Sequence, residues 1–481
     1  MHPLNFDFMY MHLQRPWSRL MPMLRAALLV LLFVGGFAMV FVADLADRIE
    51  SHGMQVLSGM GPVKAVLLLI GGLAAVYLLV RHAEITLALF FLIGLIKGDE
   101  RLASTPVDLT VAVGGAVLLG VFFRLITGKR ELALPREYLL YLPLLAMMIL
   151  SLAYTPDLSR GVDKTLRFLC LTSIGIVSPF VLFDSVGKLK NFLLAMALGG
   201  LAIAINSLAM LGGSDRLVSP SGLNTELGAA SAISMIVIWS LWFPEWPFLK
   251  RAIFYPVLGV LGVALIGSGG RFANVSALLC LVLATFLCRK LFADVAVIGG
   301  LSAVLLPLIW IPQASFDYLS SLAHPPQAMG TRNDLMALGV KMFSEHPFMG
   351  VGIQGFRFLS PNPLTYNYPH NLILELGSEL GLLAAIAFLA IAGCAFMEIW
   401  KQLRNRSPSR NSPVLTVLLL LVFVFLDAMV SGDINDLRFM WFVFGLPYVL
   451  RSFEAGTTVM VLNEAEPNLA FASDGSARHG F

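Results

Sequence analysis

The chain has 481 residues, of which 58% are hydrophobic and 13% charged, and its mean hydropathy is +0.81. Soluble domains run at about half apolar and a quarter charged, so this composition excludes a soluble globular protein and points to a polytopic membrane protein. The net charge of +3, with basic residues at span ends rather than in one patch, gives nucleic-acid binding no support.

In chain order, Arg15, Arg19 and Arg25 precede an apolar run too long for a signal-peptide core, and no cleavage box follows it. Residues 1–24 are therefore expected to stay attached, on the cytoplasmic side. Apolar runs follow at 25–44, 62–80, 84–97, 107–126, 138–154, 164–184, 189–211, 222–243, 252–267, 272–288, 293–312, 370–398, 413–430 and 438–451. At roughly twenty residues per crossing they make an all-α helical bundle of about 12–14 spans. The expected division is transmembrane helices over 25–312, a loop at 313–369, further helices over 370–451, and a disordered cytoplasmic tail at 452–481.

Basic residues mark alternate connections. Arg81, then Arg124 with Lys129, Arg130 and Arg136, then Lys188 and Lys190, Lys250 and Arg251, Arg289 and Lys290, and Lys401 with Arg404, Arg406 and Arg410 fall on one side. By the positive-inside rule that side is cytoplasmic, which puts both termini inside and the long loop outside. The four cysteines, Cys170, Cys280, Cys288 and Cys394, lie inside apolar runs without metal-like spacing and read as packing residues. No internal repeat is visible.

A loop of this length among membrane spans calls for a function. Within it, TRNDLMALGVKMFSEHP has helical periodicity, with Asn333 or Asp334 as the expected cap and Pro347 as the stop. Such a helix could lie on the outer membrane face or pack on the bundle. Gly350-Val-Gly352-Ile-Gln-Gly355 is a literal GxGxxG, but no strand precedes it and no βαβ unit surrounds it, so tight backbone turning explains it better than a dinucleotide.

His370 follows Pro369 and is expected in the first turn of a descending helix, where the dipole disfavours imidazolium and leaves a neutral imidazole able to act as base. A polar anchor is the plainer alternative. Leu374, Gly377 and Gly381 would continue its face as a packing stripe, while Glu375 and Glu379, costly at that depth, are expected to face a polar cavity. Arg271, in GSGGRFANVSA, is an outward arginine beside open glycine backbone. With Arg332 and Arg357 it could hold a pyrophosphate through bidentate hydrogen bonds.

Arg332, EHPFMGVGIQGF, PHNLILELGSELGLL and SGDINDLRFMW together resemble the O-antigen ligase/polymerase family of bacterial envelope glycosyltransferases, best from about Gly267 to Trp441. The resemblance implies a metal-independent, cofactor-free transferase in the bacterial inner membrane with its active site on the periplasmic side. Its donor would be a glycan on undecaprenyl pyrophosphate and its acceptor a second lipid-linked repeat or a lipid A core sugar. A chain-length regulator is a possible partner. By position, His370 is the implied base and Arg271 and Arg332 are the implied phosphate ligands. The family's ligases often carry a further arginine within the glycine-rich turn, which here reads Gly269-Gly270-Arg271. Asn371, Glu375, Glu379 and Asp433 are the expected sugar contacts, and transfer would be a single inverting displacement. A repeat-unit polymerase is the first reading and an O-antigen ligase the second. A transporter is the rival class, against which stand the few intramembrane charges and the lack of matching interrupted helices.

Overall fold

The computed structural model describes residues 77–96, 108–127, 134–210, 217–305, 327–361, 368–404, 412–430 and 433–453. Every regular element among them is helical. The expected runs 25–44 and most of 62–80, and the tail, lie outside the described residues, as does the first part of the long loop.

The helices are α1 Ala83–Leu92, α2 Leu109–Ile126, α3 Tyr141–Ser151 and α4 Leu158–Leu182. Then come α5 Val186–Ala209, α6 Asn224–Trp242, α7 Phe248–Gly267, α8 Arg271–Leu287 and α9 Phe292–Leu305. The loop contributes α10 Gln327–Glu345 and α11 Gly355–Leu359. The chain ends in α12 Leu372–Leu380, α13 Leu382–Arg404, α14 Ser412–Ala428 and a helix, α15, over 438–453.

Six described helices, α2, α4, α5, α6, α7 and α13, are long and apolar enough to cross a bilayer. Counting the bent pair Arg271–Leu287 and Arg289–Val297, which turns by 120°, as one span makes up to seven. The expected span 138–154 is a 3₁₀ turn, Arg136–Leu140, followed by the eleven-residue α3. The expected span 370–398 is two helices that meet at Gly381, where φ is 85° and ψ is −177°. That backbone region is open essentially to glycine alone.

Local chemistry fixes the starts. Asp108 caps α2 by accepting from the Thr110 amide at 2.7 Å, and Asp157 caps α4 by accepting from the Arg160 amide at 3.1 Å. Near the other end of α2, Arg124 donates to the Leu182 carbonyl of α4 at 2.6 Å and pairs with Glu84 of α1 at 3.3 Å. The core is aromatic at its centre: Trp441 of α15 meets Phe168 of α4 edge-on, with centroids 5.7 Å apart, and packs on Phe388 of α13 at the same distance.

The loop helix packs on the bundle. Leu335 and Met342 of α10 are buried with Phe356 of α11, and a Cβ at Gly339 would stand 3.2 Å from Pro369. The helix begins at Gln327, so Asn333 and Asp334 lie inside it rather than capping it. The glycine turn that follows docks over the break after α12. The amides of Val351 and Gly352 donate to the Ser378 and Glu379 carbonyls at 2.8 and 2.9 Å, and the Leu382 amide donates to the Pro347 carbonyl at 2.7 Å. Gly350 and Gly352 both have positive φ, and a Cβ on either would fall within 2.6 Å of opposing backbone. The turn needs glycine for close approach, and no nucleotide enters the account.

Candidate functional site

His370 stands one residue outside α12. Asn371 is the N-cap, its Oδ1 accepting from the Leu374 amide at 3.0 Å, so the expected place of His370 in the first helical turn is corrected by one step. His370 takes a left-handed backbone, φ 58°, a conformation in which histidine is enriched among non-glycine residues. The stripe expected to run on to Gly381 ends with the helix at Leu380.

The imidazole is partly buried. Its Nδ1 is buried without a hydrogen-bond partner among the described residues, and its ring packs against Tyr368 with centroids 4.6 Å apart. Burial first, and then the charge of Arg332, press His370 down to about 4. Desolvation and the charge of Arg332 both favour the expected neutral imidazole. Arg332 therefore lies near enough for its charge to act on His370. Arg271 opens α8 directly after Gly270, in a turn tied to α6 by Asn224, whose Nδ2 donates to the Ser268 carbonyl at 3.0 Å. Arg357 lies in α11 beside the glycine turn.

Glu375 and Glu379 do not face a hydrated cavity. Both are buried, and they meet Lys164 of α4, whose Nζ donates to Glu375 Oε1 at 2.6 Å and to Glu379 Oε2 at 2.9 Å. Asp433 completes the group with Oδ2 3.9 Å from the same Nζ. Its Oδ1 accepts from the Asn435 and Asp436 amides at 2.8 and 3.0 Å. Asn435 in turn donates to the Lys164 carbonyl at 2.9 Å. Asn371 is also engaged locally, donating to the Met429 carbonyl at 3.2 Å. Of the four expected sugar contacts, the two glutamates are thus buried inside the protein, while Asn371 is partly exposed and Asp433 keeps 19% of its side chain open.

Lys164 was not singled out from the sequence, although a lysine at the head of an otherwise apolar run is itself a signal. One turn beyond it α4 makes a π turn, Phe168–Thr172, of the kind found often at functional sites. Thr172 there donates to Asn435 Oδ1 at 3.1 Å. One lysine thus ties together α4, the helix that His370 precedes, and the 433–437 turn.

That turn forms part of the wall of a cavity of about 450 Å³. Thr110, Thr225, Glu226, Tyr368, Asp427, Asn435, Asp436 and Arg438 supply its polar lining. It lies where α1 ends, α2 and α6 begin, and α14 ends, the side that the charge alternation places outward. Tyr368 separates the cavity from His370. Burial, together with the carboxylates of Asp436, Asp433 and Glu375, pushes the phenol up to about 12, so it stays a neutral donor. Asp436 stands exposed at this wall. Among the described residues no three His, Cys, Asp or Glu side chains gather as a metal site would require.

An all-helical integral membrane protein with a polar cavity set into its bundle is the class that this fold and site define. Residues 254–389 match the family model described as O-antigen ligase, which supports placing this part of the chain with the O-antigen ligase/polymerase family, whose members are glycosyl-transferring enzymes acting on lipid-linked glycans. The matched region spans Arg271, Arg332, Arg357 and His370 with both glutamates. Lys164 and the 433–437 turn lie outside it. No curated protein matches the chain.

Proposed function

We propose that this protein transfers an undecaprenyl pyrophosphate-linked oligosaccharide to a sugar hydroxyl at the periplasmic face of the inner membrane, by metal-independent inverting displacement, as a repeat-unit polymerase. The observation that carries the reading is the pairing of a neutral His370, its Nδ1 without a partner, with the Arg332 guanidinium beside it.

The donor is already activated, so catalysis needs two things: charge stabilisation on the departing pyrophosphate and removal of one acceptor proton. Arg332, with Arg271, supplies the first by bidentate hydrogen bonds. His370 takes the proton from the acceptor oxygen as that oxygen attacks the anomeric carbon. The glycan lies in the cavity behind Tyr368 and the lipid runs between helices. An acceptor that is a second lipid-linked repeat asks of the cavity only hydroxyl recognition, which its wall of hydroxyls, amide and carboxylates can provide.

Incubating the purified protein with undecaprenyl pyrophosphate-linked repeats, with and without lipid A core, tests this on a gel. A ladder from the donor alone supports the polymerase. A single addition that needs lipid A core replaces it with a ligase, and no product from either mixture overturns the reading.

A further inference from the structure

The wall of the cavity carries a charge pattern that favours one class of sugar. Three carboxylates, Glu226, Asp427 and Asp436, line it against one guanidinium, Arg438. The guanidinium has its Cζ 5.9 Å from the Phe90 ring centroid, its Nε is buried without a hydrogen-bond partner among the described residues, and its single charge is set against all three carboxylates, Asp436 nearest in effect. Glu226 is held in place by Ser221, whose hydroxyl donates to Oε2 at 2.5 Å.

Groups that recognise hydroxyls sit among the carboxylates. Thr110 is 4% exposed, and its hydroxyl, buried on the cavity wall, has no partner among the described residues. Phe90, Phe91, Phe423 and Phe439 supply apolar ring faces. Carboxylates accept well from hydroxyl and ammonium donors. They repel another carboxylate, and where water is partly excluded that repulsion is stronger than in bulk water. Discrimination of this kind works by rejecting the wrong ligand as much as by holding the right one.

We infer that this cavity is a saccharide subsite for neutral or amino-bearing sugar units and is closed to uronic-acid units. That the ligand is a sugar rests on the proposed glycosyl transfer; the selectivity rests on the wall itself.

Methyl β-glucopyranoside and methyl β-glucuronopyranoside differ only at C6, where one carries CH₂OH and the other a carboxylate. Saturation-transfer NMR titrations of the full-length protein in nanodiscs at pH 7 should show the glucuronide binding at least ~10-fold more weakly, an order-of-magnitude expectation for an uncompensated like charge. Glu226→Gln combined with Asp436→Asn should narrow that ratio. Equal binding of the two glycosides, or a ratio unmoved by the double substitution, overturns the inference. Transfer from lipid-linked donors with no binding of either glycoside overturns it too, while leaving the proposed function intact. Discrimination between the glycosides without any transfer would keep the subsite and remove the polymerase.

Discussion

Lys164 Nζ lies 2.6 Å from Glu375 Oε1, joining α4 to α12 across 211 positions of sequence. The lysine is 3% exposed and the glutamate 2%, so neither charge has water to fall back on. Removing one member of a buried pair leaves the other uncompensated, typically at a cost of about 3–5 kcal/mol. Lys164→Met should therefore lower the unfolding temperature of the detergent-solubilised protein steeply. Adding Glu375→Gln and Glu379→Gln to that variant should restore most of the loss, because neutral groups of similar volume remove the stranded charges. A Lys164→Met protein that melts with wild type would contradict this account.

In the proposed mechanism the pH dependence of transfer follows from His370. Its neutral form would be the competent one, and burial with Arg332 brings it to about 4, below the ordinary 6.5. The rate should therefore stay flat from pH 7 to near 5 and fall only as pH approaches 4. Stability has the same sign: between these values the unfolded chain takes up the proton first, so the contribution of a neutral His370, whole above 6.5, is lost on acidification toward 4. His370→Ala should lower turnover by about 10²–10⁴-fold, the usual worth of a general base. An acid limb centred at 6.5 in the wild-type rate profile would show that burial and Arg332 do not lower His370 as described.

Arg332→Gln should do two things at once. Its guanidinium is the second cause of the lowered His370, so removing it should move the acid limb upward. It should also weaken stabilisation of the departing pyrophosphate by about 10²–10³-fold in turnover, the scale seen when one charge-stabilising donor is lost. A rate loss with an unmoved limb would separate Arg332 from His370. A moved limb without rate loss would separate it from the pyrophosphate.

Fold class and the segment bearing His370 and Arg332 were legible because both rest on local pattern: apolar runs of span length, basic residues at alternate ends, and the paired strings EHPFMGVGIQGF and PHNLILELG. What stayed hidden depends on distance along the chain. Lys164 read as ordinary because Glu375, Glu379 and Asp433 lie more than two hundred positions away. The cavity likewise draws on α1, α2, α6, α14 and the 433–437 turn, which no single stretch reveals. The break at Gly381 was missed for a related reason. LELGSELGLLAAI keeps a helical rhythm through it, and the interruption comes from Pro347, whose carbonyl takes the Leu382 amide.

Gly381→Ala tests how firmly that break is imposed. At φ 85° and ψ −177°, a side chain costs about 1–3 kcal/mol in backbone strain alone. A Cβ would also stand 2.2 Å from the Phe348 carbonyl oxygen, and since that neighbour is backbone rather than a flexible tip, overpacking adds about 1–3 kcal/mol more. Straightening α12 into α13 would avoid the strain only by withdrawing the Leu382 amide from Pro347 and lifting the glycine turn off Ser378 and Glu379. The expected result is a poorly folded or thermally labile protein, read by size-exclusion and thermal unfolding in detergent. Gly393→Ala, where a Cβ meets nothing within 4 Å, should behave as wild type or slightly better, because alanine is the stronger helix former. If the two alanine variants prove equally stable, α12 and α13 form one continuous helix in the folded protein and the docked turn is not what divides them.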